Sequence, residues 1–137
     1  MKIVLYLVME KTIKQRRLEF LDETVAFYSE DTSRRALQNR ACKYRTDDGK
    51  KCAIGRVIPD ELYTPAIDAL KNSSVYYIID NPNLCYIIPL SIRELGANFL
   101  FKVQRFHDMD HYWGPVSGLT SDGLNEYNAI KLEYCTE

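Results

Sequence analysis

Apolar residues recur at helical spacing near the start of the chain, between Thr12 and Tyr28. One face of this segment carries Leu18, Leu21, Val25 and Tyr28, and charged residues occupy the other face. Side chains three and four positions apart lie on the same side of a helix, so the pattern predicts an amphipathic helix. The polar residues at 29–33 break the pattern and end the predicted helix.

A second apolar stripe begins after Asn98, whose side chain can cap a helix. Its members are Phe99, Leu100, Val103 and Phe106. His107 lies on the same inward stripe, and His111 follows four residues later. The helix is predicted to end near His111, because Gly114 and Pro115 follow it.

Two other patterns predict β-hairpins. The first hairpin joins residues 75–79 and 84–88, which are rich in Val, Ile and Tyr and are separated by Asp, Asn and Pro. The second joins residues 41–45 and 51–54 around a turn at 46–49. In that turn an aspartate can bond the backbone, and a glycine supplies a positive φ.

These elements together predict the fold class. A segment at 65–70 and a segment after Thr120 or Ser121 complete a set of about four helices. The apolar run at 3–8 is typical of a buried strand, although the start of a helix gives the same pattern. We therefore predict an α+β fold, with a single small domain of about four helices packed with two β-hairpins over residues 1–137.

Composition narrows the cellular setting. Of the 137 residues, 46% are hydrophobic and 27% are charged, which is ordinary for globular proteins. The apolar N-terminal run is too short for a signal peptide or for a bilayer span. We therefore predict a cytoplasmic protein with reduced thiols and no membrane partner, in the host cytoplasm if the chain is phage-encoded.

The charge is unevenly distributed along the chain. Residues 1–56 carry 13 Lys and Arg against 8 Asp and Glu, whereas residues 57–137 carry 5 against 11. The basic half suits an acidic surface or phosphate groups, or it is a solvated face that complements the acidic half. The bases around Tyr44 are Arg34, Arg35, Arg40, Lys43 and Arg45. We predict that they bind a partner, a host protein in first place and nucleic acid as the alternative.

Cys42 and Cys52 flank the turn of the second hairpin, so the pattern predicts that they are neighbours across its ladder. Facing thiols have three possible roles. Most often they are small buried hydrophobic groups. A metal site completed by other ligands and a disulfide or redox pair are the alternatives.

His107 and His111 suggest where the other ligands of a metal would come from. Two histidines four positions apart on one helical face suit a tetrahedral metal. With Cys42 and Cys52 they would form a Cys2His2 set, and zinc is the one cofactor that this set makes possible. A hydrogen-bonded core histidine is the simpler interpretation of His107.

The same residues also suit a covalent mechanism. Cys52 or Cys42 would be the nucleophile and His107 its base, oriented by Asp108 or Asp110. The sequence contains no phosphate-binding loop, nucleophile elbow or dinucleotide fingerprint.

Three blocks of the sequence resemble small proteins that tailed phages and bacteria encode. The blocks are FYSEDTSRRA at 27–36, CKYRTDDGKKCAIGRVIPDELY at 42–63 and VQRFHD at 103–108. The resemblance covers less than half of the chain, and the middle block is its specific part. That group has no established activity, so the resemblance implies origin and compactness and draws attention to Cys42, Cys52, His107 and Asp108.

The functional prediction combines these observations. We predict a small intracellular, phage-encoded accessory protein that binds a host macromolecule without catalysis. The alternative is a Cys/His-dependent enzyme or a zinc-binding protein that uses Cys42, Cys52 and His107.

Overall fold

Helices and tight helical turns form most of the chain. The computed structural model describes residues 10–38, 41–70 and 74–136. Its α-helices are α1 (Ile13–Glu30), α2 (Val75–Asp80), α3 (Leu90–Arg93), α4 (Ala97–Asp108) and α5 (Ser121–Ile130), which continues as a π-helical turn over Lys131–Cys135. Short 3-10 turns occupy Thr32–Arg34, Gly55–Val57, Asp60–Leu62, Pro65–Ile67, Cys85–Ile87 and Asp110–Tyr112. The strands are β1 (Leu37–Gln38) and β2 (Ala41–Cys42).

The predicted α+β class is wrong, because the described part of the chain is mostly helical. β1 and β2 pair antiparallel, with Leu37 opposite Cys42 and Gln38 opposite Ala41. Two strands of two residues are too short to form a layer that covers a core. The core therefore lies between helices. The strand predicted at 3–8 lies outside the described residues.

Residues 75–88 form helical turns instead of the predicted hairpin. The Ser74 side chain caps α2 by accepting a hydrogen bond from the backbone N–H of Tyr77. Val75 and Ile78, three positions apart, are both buried, whereas Tyr77 is exposed. A short apolar run has the same composition in a strand and in a buried helix. Here the serine cap and the spacing of the buried residues favour the helix.

Helix α1 confirms the first predicted helix. It begins with a capping box, in which the hydroxyl of Thr12 accepts from the N–H of Gln15 and the Gln15 side chain accepts from the N–H of Thr12. Its buried face includes Leu21 and Tyr28. The capping box fixes where the helix starts, and the apolar face fixes which side meets the core.

Arg17 joins α1 to the C-terminal turn. Its guanidinium donates to the backbone carbonyl oxygens of Leu95, at 2.8 Å, and Tyr134, at 3.3 Å. The same group lies 5.8 Å from the ring centroids of Phe99 and of Tyr134. Helix α1 packs along the π-helical turn at Lys131–Cys135. Arg17 therefore connects the first described helix with the last.

Helix α4 confirms the second predicted stripe. Its buried side chains are Phe99, Leu100, Val103, Phe106 and His107. Gly96, with a φ of 97°, separates α3 from α4. The helix ends at Asp108 instead of His111, which lies in the following 3-10 turn.

The C-terminal part of the core contains Trp113. Its indole N–H donates to the carbonyl oxygen of Phe106 at 3.0 Å, and its ring packs edge-on against Tyr28. Helix α5 starts at the predicted cap, where the hydroxyl of Thr120 accepts from the N–H of Gly123. Within the described residues, no helix is both long enough and apolar enough to cross a membrane.

Candidate binding cavity

The turn predicted at residues 46–49 is present. The backbone N–H of Thr46 donates to the carbonyl of Lys50 at 2.9 Å, and Gly49 has a φ of 86°. The strands beside the turn are reduced to one bridge, between Arg45 and Lys51. The predicted turn at 46–49 is therefore confirmed, but the hairpin strands predicted on either side of it are wrong.

The ladder does not place Cys42 and Cys52 opposite each other. The backbone of Cys42 pairs with Leu37, whereas the N–H of Cys52 donates to the carbonyl of Tyr44 at 3.1 Å. The side chain of Cys42 lies outside the described residues. The predicted pairing across one hairpin ladder is wrong because Cys42 lies on β2, which pairs with β1, whereas Cys52 lies beside Tyr44.

Cys52 is a fully buried free thiol. Its sulfur accepts a hydrogen bond from the backbone N–H of Gly55 at 3.1 Å, which satisfies the start of the following 3-10 turn. Burial raises the pKa of this thiol far above its usual range. A thiolate is the reactive form of cysteine, so Cys52 behaves as a small hydrophobic group with a local capping role.

His107 is fully buried, and both of its ring nitrogens have partners. Nε2 accepts from the backbone N–H of Ala36 at 3.2 Å, and Nδ1 lies 2.8 Å from Oδ1 of Asp108. Because Nε2 must be an acceptor, Nδ1 carries the proton and donates it to Asp108. Burial lowers the pKa of His107, although Asp108 opposes this shift. The arrangement is a neutral core histidine that links α4 to the segment before β1.

The structure does not bring His111 to the face of His107. His111 is exposed, and its ring packs against Tyr112 with the centroids 4.2 Å apart. Among the described side chains, no three Cys, His, Asp and Glu groups are arranged to hold a metal ion. The described side chains do not include that of Cys42, so a zinc site of Cys42, Cys52, His107 and His111 stays a prediction.

Arg35, one of the five predicted partner-binding residues, is buried. Its Nε donates to the carbonyl of His107 at 2.7 Å, and its Nη1 lies 3.0 Å from the carboxylate of Asp110. The guanidinium also lies 6.0 Å from the centroid of the Trp113 ring. Only 7% of the side chain is exposed, so Arg35 is part of the core and not of a binding face.

Arg34 and Arg45 are also engaged within the chain. Arg34 forms an ion pair with Glu30 at 3.0 Å and lies over the ring of Phe27. Arg45 forms an ion pair with Asp60 at 2.8 Å and lies over the ring of Tyr63. Arg40 lies outside the described residues. Lys43 is therefore the predicted binding residue whose ammonium group has no ion-pair partner within the described part of the chain.

Lys43 lines a cavity of about 410 Å³ between the segment at residues 43–44 and α4. Arg105 borders the same cavity from α4, and Phe101 and Val75 supply apolar surface. Of the eight arginines in the described ranges, seven donate to acceptors in the chain, and Arg105 is the exception. Lys43 and Arg105 therefore border one cavity, and neither has an ion-pair or hydrogen-bond partner for its charged group among the described residues.

The two carboxylates of this cavity are held by the protein. Asp68 accepts from the backbone N–H of Tyr44 at 2.8 Å and from the hydroxyl of Tyr63. Asp108 accepts from the side-chain amide of Gln104 at 2.9 Å, in addition to His107. The acidic groups thus fix the walls, while the basic groups are available to a ligand.

Arg105 was missed in the sequence. The stripe that defines α4 is apolar, and Arg105 lies off it with Phe101, four residues earlier. That spacing places an aromatic and a base on one outer face, a pattern that is also common on solvated helices. Its partner across the cavity comes from a segment that is distant in sequence, so the pair is visible only in the fold.

The chain matches no protein-family model, no curated protein and no solved structure. The resemblance to small phage and bacterial proteins therefore stays an expectation that rests on the three sequence blocks.

Proposed function

We propose that this chain is a non-catalytic binding protein that holds an acidic group of a protein partner between Lys43 and Arg105. The observation that carries the proposal is the pair of unpaired cations on two walls of one cavity. Charge-assisted hydrogen bonds from such groups to a carboxylate are stronger than neutral ones. The apolar surface beside them adds burial to the charge recognition.

Two features support binding over covalent catalysis. The thiol of Cys52 is buried and its pKa is raised, which removes it from the reactive thiolate form. The Nε2 of His107 already accepts from the backbone of Ala36 and is not available as a base. These residues serve the fold in the arrangement described above.

The charge distribution supports a protein partner over nucleic acid. Arg34 and Arg45 are neutralised by Glu30 and Asp60, so the basic half does not present a continuous positive face in its described residues. Nucleic-acid binding depends on several bases that contact successive phosphates. A cavity with two free cations suits one acidic group better.

The resemblance noted in the sequence gives the setting of the proposal. It implies a protein that is made inside a bacterial cell from a phage or bacterial gene. The partner we propose is accordingly a host protein.

The test is affinity capture from nuclease-treated bacterial extract on immobilised protein. Wild type is compared with a cavity variant, Lys43→Ala with Arg105→Ala, and with a control variant, Lys14→Ala with Lys131→Ala. The control removes the same charge from two lysines that line none of the described cavities.

We expect a protein that wild type and the control retain and that the cavity variant loses. Equal capture by all three proteins would contradict the proposal. Circular dichroism of each variant checks that the fold is intact.

A further inference from the structure

A second concave surface adjoins the cavity along α2. It has a volume of about 490 Å³ and is bordered by Tyr76, Tyr77 and Pro82. Ser74 borders both this trough and the cavity. Tyr76 also stacks on Phe101 of the cavity, with the ring centroids 4.8 Å apart. The trough and the cavity are therefore contiguous.

The two surfaces differ in chemistry. The cavity has the cations Lys43 and Arg105, whereas the trough presents tyrosine rings and a proline, with Asp80 and Asn81 beside them. Tyr77 is 39% exposed, although it is a large aromatic side chain. Tyrosine offers apolar contact area at low conformational cost and is enriched where proteins bind one another. A ligand that fills both surfaces needs an anionic group next to an apolar one.

The cavity favours a carboxylate over a phosphate. Asp68 and Asp108 border it and accept hydrogen bonds from the protein. Because two carboxylates offset the two cations, the cavity offers a dianion little extra net attraction, while the cost of removing a dianion from water is much larger than that of a monoanion. A single Asp or Glu side chain is the anion that this balance suits.

We infer that the occupant is an extended peptide segment of the partner, with an Asp or Glu carboxylate between Lys43 and Arg105 and a neighbouring aromatic or aliphatic side chain in the trough beside Tyr77. The inference rests on the proposed function and gives the chemistry of its ligand. An extended segment can reach both surfaces, because the charged and apolar surfaces lie side by side across Ser74.

The experiment is selection of displayed random linear peptides on the immobilised full chain. A fluorescein-labelled peptide of the enriched sequence is then titrated against the protein by anisotropy. We expect the enriched sequences to share an Asp or Glu next to an aromatic or aliphatic residue. Replacement of that acid by its amide should weaken binding at least about tenfold, which is the loss of one charge-assisted contact.

Protein variants locate the two surfaces. Lys43→Ala and Arg105→Ala should each weaken the acidic peptide about tenfold but leave its amide form unchanged. Tyr77→Ala should weaken both forms by a similar factor. Lys14→Ala is the control and should change neither. A peptide with phosphoserine in place of the acid should bind more weakly than the acidic peptide.

Several results would overturn the inference. These are selected sequences without an acid, equal affinity for the acid and amide forms, tighter binding of the phosphoserine form, or no enrichment of any sequence. If labelled oligothymidylate binds and displaces the peptide, the partner is a nucleic acid and not a protein. If extract capture depends on the cavity but the amide change has no effect, the inference fails while the proposed function stands.

Discussion

The Nε2 atom of His107 accepts a hydrogen bond from the backbone N–H of Ala36 at 3.2 Å, across 71 positions of sequence. This bond holds the end of α4 against the segment that leads into β1. The other side of the same ring donates to Asp108. A histidine in a predicted zinc set is thus a structural link in the core.

The first prediction concerns this link. His107→Ala should lower the free energy of unfolding by roughly 1–3 kcal/mol from the unpaired buried N–H of Ala36 alone, with a further loss from the cavity left behind. Urea unfolding measures the difference. His111→Ala is the control and should change stability by less than about 0.5 kcal/mol, because that ring is exposed. Equal effects of the two changes would refute the assigned role.

The second prediction is a loss of stability in mild acid. Burial lowers the pKa of His107 below its ordinary value of 6.5, while Asp108 raises it and Arg35 and Arg56 lower it. As pH falls below about 6.5, the unfolded chain takes up a proton before the folded chain does. The contribution of neutral His107 to the free energy of unfolding is therefore complete above that pH. It is lost as the pH falls towards the pKa of His107 in the folded state.

Unfolding curves of wild type and His107→Gln over this pH range test the prediction. The wild-type slope should exceed that of the variant, which keeps the exposed His111. Parallel slopes would show that another group causes the pH dependence.

The third prediction separates two neighbouring arginines. Arg35→Ala should cost roughly 1–3 kcal/mol, because it leaves the carbonyl of His107 without its donor and removes packing on Trp113. Arg34→Ala should cost less than about 1 kcal/mol, because its ion pair with Glu30 is exposed. Thermal and urea unfolding of the two variants are compared. If Arg34→Ala is the more damaging change, the assignment of Arg35 to the core is wrong.

The fourth prediction concerns Gly55. A Cβ atom there would lie 1.9 Å from the carbonyl oxygen of Tyr44, which is backbone and cannot rotate away. Gly55→Ala should therefore lower the free energy of unfolding by more than the roughly 1–3 kcal/mol that is typical of overpacking. Gly49→Ala meets no atom within 4 Å and should cost only the strain of its positive φ, about 1–2 kcal/mol. Comparable losses for the two variants would contradict the close packing of the 3-10 turn on Tyr44.

The fifth prediction concerns metal removal. Both nitrogens of His107 are hydrogen-bonded, so a chelator should leave the melting temperature unchanged. A structural zinc stabilises the folded state directly, and its removal would lower that temperature. A drop would therefore reveal a site that involves Cys42 and rearranges His107.

The sequence predicted long periodic elements well and short ones poorly. Helix α1 follows from its apolar stripe and its capping box, and the cap at Thr120 follows from the same chemistry. Helix α4 follows from its stripe alone, because it begins at Ala97 and the predicted cap, Asn98, lies inside it. The hairpin predicted at residues 75–88 is wrong because a run of Val, Ile and Tyr suits either a strand or a buried helix. The serine cap at Ser74 was the local signal that could have decided between them.

The site was harder to predict than the helices, for a different reason. A base in a polar segment gives no sign in the sequence of whether it is buried, and Arg35 forms core contacts while Lys43 does not. The second cation, Arg105, reaches the cavity only after α4 has packed beside the segment that carries Lys43. Such a pair arises from tertiary structure, which periodicity does not encode.

The hydrogen bonds from Arg17 to Leu95 and Tyr134 have a consequence for synthesis on the ribosome. A nascent chain grows from its N-terminus, so α1 emerges long before the residues that it packs against. Part of its packing surface then stays uncovered until residues 131–135 have left the exit tunnel. We therefore expect α1 to acquire this packing only once residue 134 has left the exit tunnel, and a chain truncated before that residue to be less stable than the longer chain and to be retained by chaperones.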